Sequence, residues 1–370
     1  MTTILVTGAQ GFIGKNLVEW LVRRPDTNIL RFDVADDEAS LQAGLDVADV
    51  VFHLAGVNRP KDESEFVTGN AGLTALVVGR LLRRERKPVL VLSSSTQALL
   101  DNPYGRSKRA SESSVEEYGA KGGAAVVYRL PNVFGKWSRP QYNSVVATFC
   151  HHIARNMEIT LHDAAREIDL VYIDDVVRSF VGLLAEPVEP GVRHPEVRPV
   201  TRITVGGLAA EIYAMRDIRT RLELPDFENR FRQALYATYL SFLPADAFAY
   251  TLTKREDNRG SLAELLKSRH SGQIFVSRTK PGFIRGNHYH NTKVEKFCVL
   301  EGTAIIRFRH LVTNEIITYE VRGEEYRVVD IPPGYTHSIE NAGTGELIVL
   351  FWASEMFDPD NPDTYAAPVR

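Results

Sequence analysis

Two rhythms of apolar and polar positions run along this chain, and they change over near its middle. In the first half, apolar runs of strand length, Ile4–Val6, Asn28–Phe32, Val50–Leu54 and Val89–Leu92, each feed a turn and then a helical stretch. Helices are predicted from the turn at Gly14 to about Arg24, over the stretch that carries Asn70 and ends near Arg86, before Arg155, and from Val205 to Arg219. Residues 186–199 are rich in proline and glutamate and read as a long loop. Residues 225–244 read as a tail leading into a connector. From about Phe248 the helical stretches stop. Gln273–Arg278, Lys296–Leu300, Thr303–Arg309, Ile316–Val321, Arg327–Ile331 and Leu347–Trp352 are short apolar runs parted by turns. That is an all-β rhythm, suited to a small double-sheet jelly roll whose inward side chains surround a site.

A length of 370 residues exceeds the ordinary single domain of about 100–200 residues, so two domains are expected, cut between residues 243 and 244. A composition of 44% hydrophobic and 25% charged residues leaves little room for long disorder. The formal net charge of -3, without a basic block, argues against nucleic acid as the main partner. Two cysteines are too few for a disulfide framework, and no apolar run approaches the roughly 20 residues of a membrane span. The chain opens directly on a strand-like run, with no room for a signal peptide. A soluble cytoplasmic protein is the expectation.

The candidate chemistry of the first half begins at Gly8-Ala9-Gln10-Gly11-Phe12-Ile13-Gly14, between a strand and a helix. Glycines there let the backbone approach a pyrophosphate, and the free amides at the helix start favour its charge. Asp33 ends the second strand, where a carboxylate accepts hydrogen bonds from a ribose 2'-hydroxyl and so favours NADH; the alternative is that it only opens the acidic loop through Asp36, Asp37 and Glu38. Leu54-Ala55-Gly56 closes the third strand with small residues against which a dinucleotide can lie, and His53 before it reads as a structural histidine. The fourth strand delivers Ser93-Ser94-Ser95, and Tyr104 and Lys108 follow four apart on one helix face. In that arrangement an ammonium lowers the phenol's pKa and binds the cofactor ribose, the tyrosine exchanges protons, and a serine hydroxyl holds the substrate carbonyl. Lys136, Trp137, Arg139, Tyr142 and Asn143 have the aromatic and basic character of a nucleotide-sugar pocket, or else are packing anchors and solvated charges.

In the second half, His288 and His290 share a strand face, Glu295 follows, and His337 returns after a Pro-Pro-Gly turn. Three imidazoles and a carboxylate suit zinc, iron, manganese or nickel.

These residues carry resemblances. Residues 7–14, His53–Gly56, Arg129–Gly135 and Tyr172–Val176 fall in the order and spacing of the extended short-chain dehydrogenase/reductase family over roughly residues 1 to 240. That likeness implies an α/β doubly wound parallel sheet of Rossmann type, a nicotinamide cofactor, and Ser95, Tyr104 and Lys108 as the catalytic group. Gly282–Gly302 and Pro332–Asn341 resemble the two cupin motifs, with Tyr326 where a glycine is usual and a longer hairpin to account for it. Asp257–Ser261 and Arg285–His288 also resemble the deoxysugar 3,5-epimerases, in which the corresponding histidine is catalytic without metal, so His288 has two competing roles.

Together with Leu54–Pro60, Asn102–Gly105, Tyr142–Val145 and the tail Phe357–Tyr365, the chain resembles the CapF-like family of bifunctional capsular-polysaccharide enzymes, a reductase joined to a cupin. The resemblance implies C3 epimerisation of a UDP-2-acetamido-2,6-dideoxy-4-ketohexose by residues 244–370, and C4 reduction by residues 1–243 with NADPH, toward UDP-N-acetyl-L-fucosamine for capsule or O-antigen. It also implies zinc or another divalent metal on His288, His290, Glu295 and His337. With those four set aside, Lys296 is the candidate proton carrier, and Asn132, Asn143 and Arg259 are the candidate substrate contacts. A homodimer is the expected assembly. Competing readings are a single-activity enzyme with a structural metal-binding cupin, or a dinucleotide-binding redox sensor without turnover.

Overall fold

The computed structural model describes residues 1–370. They form two compact units, Met1–Tyr213 with Ala234–Pro244, and Ala214–Gln233 with Ala245–Arg370.

The first unit is built on a six-stranded, all-parallel sheet. Its strands are β1 (Thr2–Thr7), β2 (Thr27–Phe32), β3 (Val50–His53), β4 (Val89–Ser95) and β5 (Ala124–Leu130). Next in the chain come β6 (Asn132–Phe134) and β7 (Glu167–Tyr172), then β8 (Gly191–Arg193) and β9 (Val200–Thr204). The sheet order is β2-β1-β3-β4-β5-β8, and β6, β7 and β9 make a separate small sheet. β8 lies inside the stretch expected as a loop; Gly191 donates to the Gly123 carbonyl at 2.8 Å and brings three residues beside β5.

Strands buried on both faces explain the uninterrupted apolar runs, since alternate residues serve opposite cores. Ile4, Val6, Phe52, Val91 and Val126 pack on one side against the helices Phe12–Leu21 and Ile173–Gly182. Leu5, Val51, Leu90, Leu92 and Val127 pack on the other, against Leu41, Leu45, Val77, Leu81 and Tyr118. Each such side chain contributes about 1.5–3 kcal/mol by leaving water. The order reverses between β1 and β3, so a crevice opens at their carboxyl ends, the usual ligand position in doubly wound sheets.

The helix Pro103–Ala120 starts where the sequence provides for it: Asn102 caps it by accepting from the Gly105 amide at 2.7 Å, and Pro103 occupies the first turn. A β-carbon at Gly105 would stand 2.3 Å from the Gln97 carbonyl oxygen. That close approach lets the turn after β4 meet the first turn of this helix.

The second unit is an antiparallel sandwich. Its strands are β10 (Lys254–Asp257), β11 (Gly260–Ser268), β12 (Gly272–Thr279), β13 (Ile284–Tyr289), β14 (Glu295–Glu301) and β15 (Thr303–His310). The remainder are β16 (Ile316–Arg322), β17 (Val328–Ile331), β18 (Tyr335–Asn341), β19 (Leu347–Ala353) and β20 (Tyr365–Ala366). One sheet runs β10-β11-β12-β19-β14-β17 and the other β16-β15-β18-β13-β20. Phe297, Val299, Val349 and Phe351 from the first interleave with Ala304, Ile306, Phe308 and Ile339 from the second to form the core. Tyr326, standing where a glycine was expected, adopts the left-handed backbone with φ 47° after a short turn over Gly323–Glu325. The backbone has kept a conformation that glycine adopts without strain.

Candidate active site and metal centre

In the first unit the glycine turn sits at the β1–β3 crevice. Gly8 has φ +69°, and a β-carbon on it would lie 2.7 Å from the Ala55 amide nitrogen, so no larger residue fits between the turn and the Leu54-Ala55-Gly56 segment. Phe12 and Ile13 open the helix that follows, and Gly11 precedes it. Asp33 lies beside this turn: one carboxylate oxygen accepts from the Gln10 amide at 2.7 Å and the other from the Val34 amide at 2.8 Å. His53 is buried between the hydroxyls of Thr7, at 2.8 Å, and Thr74, at 3.0 Å, and burial drops its pKa to about 3. It is a neutral structural group, as its position at a strand end suggested.

Ser95, Tyr104 and Lys108 converge. Ser95 ends β4 and hydrogen-bonds the Tyr104 phenol, and Lys108 lies one turn further along the same helix, its Nζ 6.0 Å from the centre of the Tyr104 ring. The phenol does not behave as the spacing predicted. Burial pushes Tyr104 up to about 12, with the Ser95 bond pulling the other way, and Lys108 is not among the groups that lower it. The Lys108 ammonium instead donates to the Ser93 carbonyl at 3.0 Å, and burial brings its own pKa down to about 8 against the pull of Glu112. A phenol held protonated is a proton donor, the role that reduction of a ketone requires.

Further residues support this group, and no motif in the sequence marks them as part of it. Asn70 is buried on a π-turn, Val67–Gly72, within the helical stretch after β3. Its amide nitrogen donates to the Val57 carbonyl at 3.1 Å and the Ser107 hydroxyl at 3.0 Å, while its oxygen accepts from the Val57 amide at 2.8 Å. It ties the Gly56 segment to the Tyr104 helix. Ser94 donates to the buried Glu112 carboxylate, which Arg129 grips from the other side at 2.6 Å. Only an isolated asparagine marked the first device in the sequence. Nearby, Arg59, Asn132, Tyr142, Asn143, His162 and Arg166 line a cavity of about 540 Å³. Trp137 is 49% exposed at a left-handed φ of 68°, with Lys136 over its ring.

The second unit brings its four predicted ligands together. His288 lies one residue before the end of β13, opposite His337 of β18, His290 follows two residues on, and Glu295 opens β14 of the facing sheet. One ligand atom from each lies within 4.8 Å of the others. His290 Nε2 stands 3.3 Å, and His337 Nε2 3.4 Å, from the same Glu295 oxygen. Neither ring nitrogen makes a well-formed hydrogen bond there. Burial disfavours charge on Glu295, yet the two imidazoles hold its carboxyl well below the usual range, and burial followed by the neighbouring imidazoles lowers His288 to about 4. Three imidazoles and a carboxylate aimed at one point, with buried nitrogens unsatisfied, fit a divalent cation.

The structure does not bring Lys296 to that point. Alternation along β14 sends Glu295 inward and Lys296 outward, where it is exposed and pairs with Asp330. The buried lysine nearby is Lys293. Arg259 lies in the β10–β11 turn and forms a two-pronged pair with Asp257, near Arg285.

A dinucleotide cradle beside a serine, tyrosine and lysine, and a separate sandwich with a four-ligand cluster, define a two-part nucleotide-sugar enzyme. Residues 4–194 match the NAD dependent epimerase/dehydratase family and residues 255–365 the polysaccharide biosynthesis C-terminal domain; the chain belongs to this combined family. It is 43% identical over 367 residues, 99% of this chain and 98% of the relative, to a UDP-2-acetamido-2,6-beta-L-arabino-hexul-4-ose reductase of Pseudomonas aeruginosa. The capsular polysaccharide assembling protein CapF of Staphylococcus aureus superposes with a TM-score of 0.90 at 45% identity, over 99% of this chain and 100% of that one. UDP-glucuronic acid 4-epimerase of Bacillus cereus shares the fold alone, with a TM-score of 0.53 at 19% identity over 58% of this chain and 84% of that one. No helix is long and apolar enough to cross a membrane.

Proposed function

We propose that the chain is a bifunctional UDP-sugar enzyme that inverts C3 of a 2-acetamido-2,6-dideoxy-4-ketohexose and then reduces its C4 ketone, toward UDP-N-acetyl-L-fucosamine. One observation carries the reading: a proton-donating serine–tyrosine pair and a four-ligand cluster stand in separate units of a chain that matches the Pseudomonas reductase end to end.

The ketone makes both steps possible. It acidifies the neighbouring C3 hydrogen, so a base can remove that proton and an acid can return one to the opposite face. A reduced nicotinamide cofactor, which the Gly8–Gly14 turn and Lys108 would hold, would supply the hydride for C4. Tyr104 donates its phenolic proton to the oxygen at C4, Ser95 holds that oxygen, and Lys108 fixes the ribose while holding its place through the Ser93 carbonyl. Reduction removes the acidity at C3 and so locks the new configuration. The cavity lined by Asn132 and Asn143 takes the nucleotide end of the sugar, with Arg59 and Arg166 facing its diphosphate. In the sandwich, His288, His290, Glu295 and His337 would hold zinc or another divalent cation, a Lewis acid that also fixes the shape of the pocket. Holding the cation occupies the His288 ring, which then cannot serve as the base. Arg259 is the candidate contact for the sugar nucleotide there.

NADPH is the expected reductant. Asp33 counts against it, since a carboxylate there repels a 2'-phosphate, even with both its oxygens engaged by backbone amides. Initial rates with the two cofactors test it, and a strong preference for NADH would overturn the assignment. The whole reading is tested by resolving the product of the 4-keto substrate by NMR. A sugar inverted at C3 and reduced at C4 is expected; one reduced at C4 with C3 unchanged would reduce the protein to a single activity.

A further inference from the structure

The carboxyl-terminal tail is stitched to the ligand cluster at successive points. The ring nitrogen Nδ1 of His290 lies 2.6 Å from the backbone carbonyl of Asp363. A carbonyl only accepts, so this contact places the proton on Nδ1 and leaves the lone pair of Nε2 facing Glu295. The Asp363 carboxylate then reaches the loop just after His290. It accepts from the amides of Asn291 at 3.0 Å, Thr292 at 2.9 Å and Lys293 at 2.9 Å, and from the Thr292 hydroxyl at 3.0 Å. Lys293 answers in the other direction, its buried ammonium donating to the Pro362 carbonyl at 2.8 Å and the Thr364 hydroxyl at 3.0 Å. Two residues on, β20 pairs with β13, Ala366 opposite His288. Thr336, next to His337, donates to the Ala367 carbonyl at 2.6 Å.

The tail therefore touches each of the three histidines or its immediate neighbour, and the loop that must bring Glu295 round to them is held by one carboxylate. Asp363 itself has a left-handed φ of 39°, a conformation uncommon for aspartate and sustained here by these bonds.

We propose that the tail is a clasp that orders the metal site, with Asp363 as its positioning residue: its carbonyl selects the His290 tautomer and its side chain fixes the 291–293 loop. The inference rests on the metal reading above. Groups that orient a metal-bound histidine are worth about 10–100-fold in affinity when lost, and Asp363→Ala keeps the carbonyl but removes the carboxylate that anchors it against the 291–293 loop.

The test measures zinc affinity by chelator competition on the full-length protein, for the wild type, Asp363→Ala, and Lys293→Met, which severs the opposite stitch but leaves Asp363 in place. Asp360→Ala, in the exposed part of the tail, is the control. Asp363→Ala is expected to bind zinc about 10–100-fold more weakly through faster release, and Lys293→Met to weaken it by a smaller factor, with Asp360→Ala unchanged. If Asp363→Ala lowers the thermal stability of the second unit, Lys293→Met carries the comparison. Wild-type affinity in both variants overturns the clasp while leaving the metal centre standing. A wild type that takes up no zinc overturns the metal reading and the clasp with it.

Discussion

The two sites differ in how their polar groups are satisfied without a ligand. Around Tyr104 in the parallel-sheet unit, buried groups are paired with one another: Lys108 with the Ser93 carbonyl, Asn70 with Val57 and Ser107, Glu112 with Ser94 and Arg129, His53 with two threonines. In the sandwich, His290 Nε2 and both ring nitrogens of His337 are buried without a hydrogen-bond partner. A buried polar atom left unpaired costs about 1–3 kcal/mol, a cost that a cation bound at the centre of the second arrangement would relieve. The first site is held by the protein's own hydrogen bonds, and the second has the donor set that a divalent cation would complete.

That contrast can be broken at its strongest point by removing a ligand. His337→Gln should lose bound zinc by elemental analysis and lose C3 exchange, while reduction of a substrate already inverted at C3 continues; retained zinc would sink the four-ligand assignment. Asn70→Ala acts on the self-satisfied side. It unpairs the Val57 amide and carbonyl and removes the bond to the Ser107 hydroxyl, which keeps its own bond to the Tyr104 carbonyl, and is expected to lower thermal stability by about 1–3 kcal/mol and kcat by at least tenfold. Unchanged kcat would mean that Asn70 only supports the fold.

Lys108 gives a pH signature. Its pKa falls from 10.5 to about 8 on burial, so the unfolded chain binds more protons between those values and this group's contribution to stability rises with pH across that window. Lys108→Met removes the cost of burying the charge. Its stability advantage over the wild type is expected to be full below pH 8 and to fade toward pH 10.5, as measured by chemical denaturation; a constant difference would contradict the buried ammonium. The smallest effect is expected from Lys296→Ala, which should leave C3 exchange within about twofold, because the side chain is exposed and faces away from Glu295.

Chemistry carried by local spacing was legible in the sequence. The Gly8-Gly11-Gly14 turn, the Tyr104–Lys108 pair and the His288–His290–Glu295 run each rest on strand or helix geometry that a few neighbouring residues fix, and the structure places the residues of each together. What depended on distant partners was not. The raised pKa of Tyr104 comes from burial, which spacing does not reveal, and the spacing argument alone gave the opposite direction. Lys296 was drawn in by its adjacency to Glu295, although neighbours on a strand face opposite ways. Asn70 and Asp363 act over 37 and 73 residues of sequence separation, with no motif to announce them. The short strand β8 hides in a proline-rich stretch because three residues carry no period.

The claim that two separable reactions share this chain is tested most directly by deuterium uptake in full-length Tyr104→Phe, incubated in deuterated water with the 4-keto sugar nucleotide and reduced cofactor. Loss of the phenolic proton should cut cofactor oxidation by about 10²–10⁴-fold, while deuterium enters C3 at the wild-type rate. Loss of C3 exchange together with oxidation would contradict the account.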